Sequence, residues 1–302
     1  DGPRLVVDGE AFAFFGINGQ FLLDPVFPED RVEPLLADLS ARGVNAVRVW
    51  FKPEHDPERL ARLLDTGARS EVRFVVSLAD NVDRGRDWFF GDEDADRYRP
   101  HLERTVARFK DRPEILMWEP TNEPNCGDRF DAECVDTIKD WLTMASRLIE
   151  RLDPCHLVSS GMIGAGNYDF EQDAYRQIHR RDTIDVLSVH RRADDARDKE
   201  LETAATLDRP IVFGEVYDQA YDDGCTALDG GRVVRQRADR IRDDLRDALD
   251  RGVDGYLLWD LAAGQVDDPE GSTRYFCGIY GYEVDDPLWA VLTDDGLPPA
   301  VP

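Results

Sequence analysis

The chain has 302 residues, of which 42% are hydrophobic, so it is long enough to build one large core. It contains no apolar stretch of the roughly 18 residues that a membrane span needs, and we expect no membrane partner. Acidic residues number 63 against 37 basic ones, and the resulting net charge of −26 is spread along the chain, which argues against nucleic acid as a partner.

Eight short apolar runs alternate with helical stretches along the chain. The runs are rich in Val, Ile and Phe and mostly lack polar alternation, as expected for strands that are buried on both faces. They are Phe12–Ile17, Val44–Trp50, Val72–Leu78, Ile115–Glu119, Leu157–Ser159, Ile184–Val189, Ile211–Gly214 and Gly255–Trp259. The predicted helices are Glu29–Arg42, Arg97–Asp111, Ala132–Leu152, Asp173–Arg180, Asp195–Leu207, Arg232–Arg251 and Pro287–Leu292.

This alternation predicts an α/β fold with a parallel sheet. Eight strands at this chain length favour a closed (β/α)8 TIM barrel over an open doubly wound sheet. No G-x-G-x-x-G sequence follows the first run, which disfavours a dinucleotide-binding fold. We therefore expect residues 1–302 to form a single catalytic TIM-barrel domain.

Polar and aromatic side chains close several of the predicted strands. In TIM barrels the active site lies at the carboxyl ends of the strands, so these side chains are the candidates for function. In chain order they are Arg48, Asn122, Glu123, His190, Glu215 and Trp259.

Two of these candidates are carboxylates, Glu123 after the fourth run and Glu215 at the end of the seventh. Strands four and seven lie across the mouth of an eight-stranded barrel, so the two side chains can face each other over a bound sugar. Glycoside hydrolysis needs such a pair, because one protonated acid donates to the leaving oxygen and one ionised carboxylate attacks the anomeric carbon. Either residue alone is as well explained by a structural salt bridge, and it is their joint placement that favours catalysis. This chemistry requires no metal or other cofactor, and no H-E-x-x-H or comparable ligand set is present.

The same residues resemble glycoside hydrolase family 5 and its relatives over nearly the whole chain. The matching motifs are Arg48 in VNAVRVW, Asn122-Glu123-Pro124 in MWEPTNEP, His190 in LSVH, Glu215 in VFGE and Trp259 in GYLLWD. Within the family, the segments FFGINGQFLL, FVVSLADNVDRGRDWFF and EPNCGDRFDAEC are similar to the endo-β-1,4-mannanases.

The resemblance implies a retaining hydrolase of β-1,4-linked polysaccharide, with β-mannan favoured and β-glucan as the alternative substrate. It makes Glu123 the acid/base and Glu215 the nucleophile. The further implied roles are Arg48 keeping Glu215 ionised, Asn122 bonding the sugar 2-hydroxyl, His190 orienting the acid/base or binding substrate, Trp259 as a sugar platform, and Asn81 and Trp88 lining the outer cleft.

Each implied role has a structural alternative. Arg48 could simply neutralise buried acids, His190 and Trp259 could belong to the core, and Trp88 is equally consistent with packing. Family members usually carry a Tyr shortly after the strand-six His, and this chain has two arginines there instead. Tyr217, two residues past the seventh-strand Glu, is a candidate substitute. A non-catalytic carbohydrate-binding barrel therefore stands as the rival interpretation. An enzyme of phosphorylated metabolites is disfavoured by the net charge and by the lack of a Gly-rich phosphate loop.

Five cysteines are present, and none has the C-x-x-C spacing of a zinc or redox site. Cys126 and Cys134 flank a short loop, which is consistent with a small disulfide or with two buried thiols. The mannanase resemblance implies the disulfide, together with a Cys225–Cys277 pair that leaves Cys155 free. A disulfide is typical of extracytoplasmic proteins, so we expect a secreted protein. We also expect it to be a monomer whose partner is a poly- or oligosaccharide substrate. The chain begins without Met or a leader, so from the sequence it was either never exported or lost its signal.

The acidic surface also predicts adaptation to salt, as opposed to a merely acidic protein. Only four of the basic residues are lysines. Charge repulsion destabilises the folded state, and molar salt screens it because the Debye length falls to about 3 Å. We expect the melting temperature to be higher in molar salt than in dilute buffer. A melting temperature that stays the same in calorimetry across both conditions would contradict salt adaptation.

Overall fold

The computed structural model describes residues 3–7, 9–80, 85–127, 130–165, 171–193, 197–221, 227–267, 273–276, 281–283 and 285–294. Within these ranges the chain alternates strands and helices in the predicted order. No helix in the described ranges combines the length and the apolar character needed to cross a bilayer.

Eight strands form one parallel sheet. Numbered in chain order, they are β1 (Phe14–Asn18), β2 (Ala46–Trp50), β3 (Arg73–Ser77), β4 (Ile115–Glu119), β5 (Leu157–Val158), β6 (Leu187–Arg192), β7 (Ile211–Tyr217) and β8 (Gly255–Leu258). Their order in the sheet is β5-β4-β3-β2-β1-β8-β7-β6. A parallel bridge between Ser159 and Val186 joins the two ends, just after β5 and just before β6. The sheet is therefore closed, and the predicted TIM barrel is confirmed.

Eight helices surround the barrel in the described ranges. They are α1 (Val32–Ala41), α2 (Pro57–Ser70), α3 (Arg99–Phe109), α4 (Ala132–Leu152), α5 (Gln172–His179), α6 (Asp198–Leu207), α7 (Arg232–Asp250) and α8 (Pro287–Asp294). α1 and α3 begin later than predicted because a 3-10 turn at Glu29–Arg31 and a π-helical turn at Asp94–Tyr98 precede them.

The sequence prediction omitted α2. Its start was nevertheless signalled, because Asp56 caps the helix by accepting a hydrogen bond from the backbone N–H of Glu58, and Pro57 occupies the first helical position.

The apolar core has two layers. The larger lies between the outer faces of the strands and the helices. The smaller fills the inside of the barrel and includes Leu5 and Phe12, which flank a short hairpin of Val6–Val7 and Glu10–Ala11 before β1. Phe14 belongs to the same cluster, and next to it the buried Asp254, just before β8, pairs with Arg4.

The predicted disulfide between Cys126 and Cys134 is present, and Cys155 is an exposed free thiol. The bond ties the segment after β4 to the first turn of α4, whose N-cap is Asp131. Cys225 and Cys277 lie outside the described residues, so their pairing stays a prediction.

A buried histidine links α5 to the ends of β5 and β6. His179 Nδ1 lies 2.8 Å from the carbonyl of Tyr175, so this nitrogen must carry the proton, since a carbonyl only accepts. His179 Nε2 then accepts from the Ser160 hydroxyl at 2.7 Å, and the Ser160 oxygen in turn accepts from the Ser188 N–H at 3.0 Å. With Nε2 unprotonated all three bonds form, and burial lowers the pKa of His179 to about 4.

We expect His179 to stay neutral, as the Nδ1–H tautomer, down to about pH 4. Its pKa in the folded state is below that of the unfolded chain, about 6.5, so its contribution to stability is complete above pH 6.5 and is lost as pH falls towards 4. Long-range ¹H–¹⁵N NMR, with the signal assigned by its loss in His179→Gln, measures the tautomer and its titration. A titration midpoint near 6.5 would contradict a buried, neutral His179.

Candidate active site

The site is built around Arg48, a wholly buried side chain in β2. Its Nη1 donates to Glu215 Oε1 at 2.6 Å and to Asn18 Oδ1 at 3.1 Å, and its Nη2 donates to Asn122 Oδ1 at 2.7 Å. Its Nε and Nη2 both donate to Glu119 Oε1, the former at 3.0 Å. The planar guanidinium fork therefore joins groups from β1, β4, β7 and the segment after β4.

Two carboxylates and one imidazole form the open side of this cluster. His190 Nδ1 lies 2.8 Å from Glu123 Oε1 and 3.4 Å from Glu215 Oε1. One ring nitrogen of His190 and one carboxylate oxygen from each of Glu123 and Glu215 all lie within 4.8 Å of one another. The Glu123 side chain is 23% exposed and the Glu215 side chain 8%, so Glu123 faces the solvent and Glu215 lies deeper.

Burial raises the pKa of Glu215 to about 7. The charge of His190 opposes this shift, the nearby Glu123 adds to it, and Arg48 opposes it by charge and by hydrogen bonding. Two carboxylates this close do not readily ionise together, so the pair holds a proton close to neutral pH. Such an arrangement can donate a proton from one carboxyl group while the other stays anionic.

The backbone presents Glu123 in an unusual conformation. Its φ angle is 42°, in the left-handed region that non-glycine residues seldom adopt. Its N–H donates to the carbonyl of Gly161 at 2.8 Å, and its own carbonyl accepts from the Asn125 amide at 2.9 Å. The segment after β5 therefore fixes the direction in which this carboxylate points.

A second polar chain orients Asn122. Its oxygen accepts from the buried arginine described above, and its amide donates to Asp80 Oδ1 at 3.2 Å. Lys52 Nζ lies 3.3 Å from Asp80 Oδ2. These contacts determine which end of the Asn122 amide faces which neighbour.

Aromatic and acidic groups follow β8. Trp259 is half-buried and meets the edge of Trp50 with ring centroids 5.5 Å apart. The Trp259–Asp260 peptide bond is cis. Asp260 accepts a hydrogen bond from Gln20 at 3.2 Å, and burial raises the pKa of this carboxyl group to about 7.

Two predicted cleft residues are not among these contacts. Trp88 is 6% exposed and packs with Phe89, Tyr98 and Trp141, with an edge at a small cavity of about 30 Å³. A binding role for Trp88 stays a prediction. Asn81 lies outside the described residues.

Arg191, directly after His190, turns away from the carboxylates. Arg191 is 2% exposed and donates to Asp244 of α7 at 2.8 Å, with its guanidinium over Phe213. This side chain therefore points out of the barrel, whereas Arg192 is exposed. Tyr217 stands at the end of β7, half-buried.

Three contributors to the cluster were missed as candidates from the sequence: Asn18, Glu119 and Asp80. Asn18 and Glu119 are the last residues of β1 and β4, and Asp80 comes shortly after β3. The rule that selected the other candidates, a polar residue at a strand's carboxyl end, would have found them too.

Within the described residues, Glu123, His190 and Glu215 are the one trio of acidic or histidine side chains spaced to hold a metal ion. The Arg48 guanidinium already donates to the Glu215 oxygen in that trio. A second cation there would be repelled, so the residues fit a proton-transfer site better than a metal centre.

Comparison with known proteins finds one similar family model and several similar mannan endo-1,4-beta-mannosidases. Residues 99–223 match the family model described as GH family 5 beta-mannosidase-like. The chain is 25% identical to mannan endo-1,4-beta-mannosidase F of Aspergillus fumigatus over 209 residues, covering 55% of this chain and 46% of that protein. It is 25% identical to mannan endo-1,4-beta-mannosidase 2 of rice, in an alignment that covers 92% of this chain and 78% of that protein.

The fold comparison agrees. The structure of the endo-1,4-beta-mannanase from Rhizomucor miehei superposes with a TM-score of 0.75 at 18% identity, covering 96% of this chain and 95% of that one. The chain spans about half the length of the fungal relative that it matches. The resemblance to family 5 and its mannanases is thus confirmed.

Gly161 tests how the backbone fixes the site. Its φ is +62°, and a Cβ there would lie 2.2 Å from the Thr121 carbonyl oxygen and 2.8 Å from the Glu119 carboxyl carbon. We expect Gly161→Ala to lower the free energy of unfolding by about 3 kcal/mol, through backbone strain and overpacking.

Denaturant unfolding followed by tryptophan fluorescence measures this loss. Gly164→Ala in the same segment is the matched control, because its Cβ would meet nothing closer than 3.2 Å. Equal stability of the two variants would contradict the close approach at Gly161.

Proposed function

We propose that the chain is a retaining glycoside hydrolase that cleaves β-1,4-linked polysaccharide, with β-mannan as the favoured substrate. The observation that carries the proposal is the Glu123–His190–Glu215 cluster. One polar side-chain atom from each of these residues lies within 4.8 Å of the other two. Retaining enzymes place their two carboxyl groups about 5–5.5 Å apart, whereas inverting enzymes need about 6.5–9.5 Å to admit a water. The short separation supports retention.

In the proposed reaction, a Glu215 oxygen attacks the anomeric carbon and forms a glycosyl-enzyme ester. Glu123 donates its proton to the glycosidic oxygen as the bond to the leaving sugar breaks. In the second step Glu123, now a carboxylate, takes a proton from water, and the resulting hydroxide displaces Glu215 from the anomeric carbon. The two inversions give net retention.

The surroundings support this division of roles. Glu215 is bonded to Arg48 at 2.6 Å, which favours its anionic form. Glu123 is more exposed and faces His190. A sugar that covers Glu123 removes its water and favours the protonated acid, so the shared proton moves to the residue that must donate it.

The remaining groups are assigned to substrate binding. Trp259 offers a half-exposed ring on which an apolar sugar face can lie. Asn122 would bond the 2-hydroxyl of the sugar at the reaction centre, and His190 would hold Glu123. Asn81 and Trp88 are proposed for the outer cleft. The motifs and the names of the relatives favour mannan, and β-glucan is the alternative substrate.

We further propose that residues 1–302 act as one catalytic domain, as a monomer outside the cytoplasm. The Cys126–Cys134 disulfide supports the location, because such bonds persist in oxidising compartments.

A non-catalytic carbohydrate-binding barrel is the second candidate. The observation in its favour is Arg191, which follows the strand-six His and turns to Asp244 instead of to the nucleophile. The intact carboxylate pair is its main difficulty.

The test is reducing-sugar release from β-mannan, with cellulose, xylan and β-1,3-glucan alongside, in molar salt. We expect wild-type protein to cut mannan, and Glu123→Gln and Glu215→Gln each to lose at least about a hundredfold in activity. Glu103→Gln, a change at an exposed position of α3, is the matched control. ¹H NMR of the first-formed product should show the β-anomer.

Other outcomes divide the alternatives. Cleavage of glucan alone keeps the chemistry and rejects mannan. An α-anomer product rejects retention. Oligosaccharide binding without turnover, unchanged in Glu215→Gln, selects the binding barrel.

A further inference from the structure

We infer that Glu119 is a positioning residue that controls the nucleophile through Arg48. Glu119 and Glu215 share one guanidinium: two of its nitrogens donate to Glu119 and one donates to Glu215. The inference rests on the proposed function, since it assigns a task to a residue behind that reaction centre.

The hydrogen-bond geometry shows the unequal division. Arg48 directs both Nε and Nη2 to Glu119 Oε1, and directs Nη1 alone to Glu215. All three side chains are shielded from solvent: Arg48 is 0% exposed, Glu119 1% and Glu215 8%. In such surroundings charges interact more strongly than in water, so the position of each carboxylate determines how much of the cation the other experiences.

The fold makes room for Glu119. A Cβ on Gly161 would lie 2.8 Å from both Cγ and Cδ of Glu119, so this side chain occupies the space that any larger residue at 161 would fill. The Glu119 N–H and carbonyl belong to β4, where its carbonyl accepts from Leu78 at 2.9 Å. The second carboxylate is therefore built into the barrel, and its position does not depend on a loop.

The chemical consequence follows from what the nucleophile must do. Glu215 has to be anionic before attack, and it loses its charge as the ester forms. A cation wholly committed to Glu215 would stabilise the starting carboxylate more than the transition state and would slow attack. By accepting from two of the guanidinium nitrogens, Glu119 weakens the stabilisation of the Glu215 carboxylate by Arg48. Glu215 can still ionise, but its charge is not stabilised so strongly that attack is slowed.

Other charged groups act on Glu215 as well. Glu123 and His190 face it directly, from the segment after β4 and from β6, and Arg48 faces it from β2. Glu119 faces it only through Arg48. A change at residue 119 should therefore alter the titration of Glu215 without touching its direct neighbours.

The experiment compares Glu119→Gln and Glu119→Asp with wild type. Carboxyl groups are followed by ¹³C NMR of protein labelled at the Glu side-chain carboxyl, with the Glu215 signal assigned by its loss in Glu215→Gln. In Glu119→Gln the whole cation acts on Glu215, so we expect its titration midpoint to fall by about one pH unit. In Glu119→Asp the shorter side chain sets the carboxylate back from Arg48, so the Glu215 midpoint should also fall, but by less.

Activity supplies the second readout. The acid limb of kcat/KM against pH should move down with the NMR midpoint, while the value at pH 8 falls at least about tenfold. Asp94→Asn is the matched control, because Asp94 is another fully buried carboxylate paired with an arginine, Arg99. We expect this control to leave the Glu215 midpoint in place.

An unchanged Glu215 midpoint in the folded Gln variant overturns the inference, even if its activity falls, because a purely structural role would lower activity at every pH alike. If Glu119→Gln does not fold, the Asp variant decides by the same criterion. If wild type cuts no polysaccharide, the proposed function fails, but the NMR midpoints still show whether Glu119 controls Glu215.

Discussion

The buried guanidinium of Arg48 is the interaction on which the carboxyl-terminal end of the barrel depends. A wholly buried cation is costly unless charged and hydrogen-bonding partners surround it, and the two carboxylates Glu119 and Glu215 supply the opposite charge. Asn18 and Asn122 accept further hydrogen bonds from the same group. Because the guanidinium is planar and its donors are fixed, satisfying it sets the relative positions of β1, β2, β4 and β7.

The sequence could predict the barrel because its strongest signals are local. Buried parallel strands read as short apolar runs, and a carboxyl-terminal polar residue marks the face where they meet. Glu123 and Glu215 could be chosen in this way. The sequence pattern does not indicate which strand ends are in contact, so it could not predict the two hydrogen bonds from Arg48 to Glu119. The omission of α2 was avoidable, because Asp56 and Pro57 are explicit start signals.

Other features depend on tertiary contacts that no local pattern records. Trp88 sits in a sequence typical of a cleft loop, yet it packs among aromatic rings that come from α4 and from the turn before α3. The direction of Arg191 is set by Asp244, 53 residues later in the chain. The neutral state of His179 likewise follows from partners on two different strands' ends. The outcomes at Trp88 and Arg191 are decided by partners far away in sequence.

The arginine after the β6 histidine turns to Asp244 and leaves Glu215 to other donors. The pairing register of β6 with β7 shifts between Val189 and His190, and after it His190 faces the carboxylates while Arg191 faces α7. Glu215 has the Arg48 donor at 2.6 Å and His190 at 3.4 Å. A neutral hydroxyl orients a carboxylate without fixing its charge, whereas a cation does both. Reliance on a cation makes a counter-carboxylate necessary, and Glu119 is the group that the barrel places in that position.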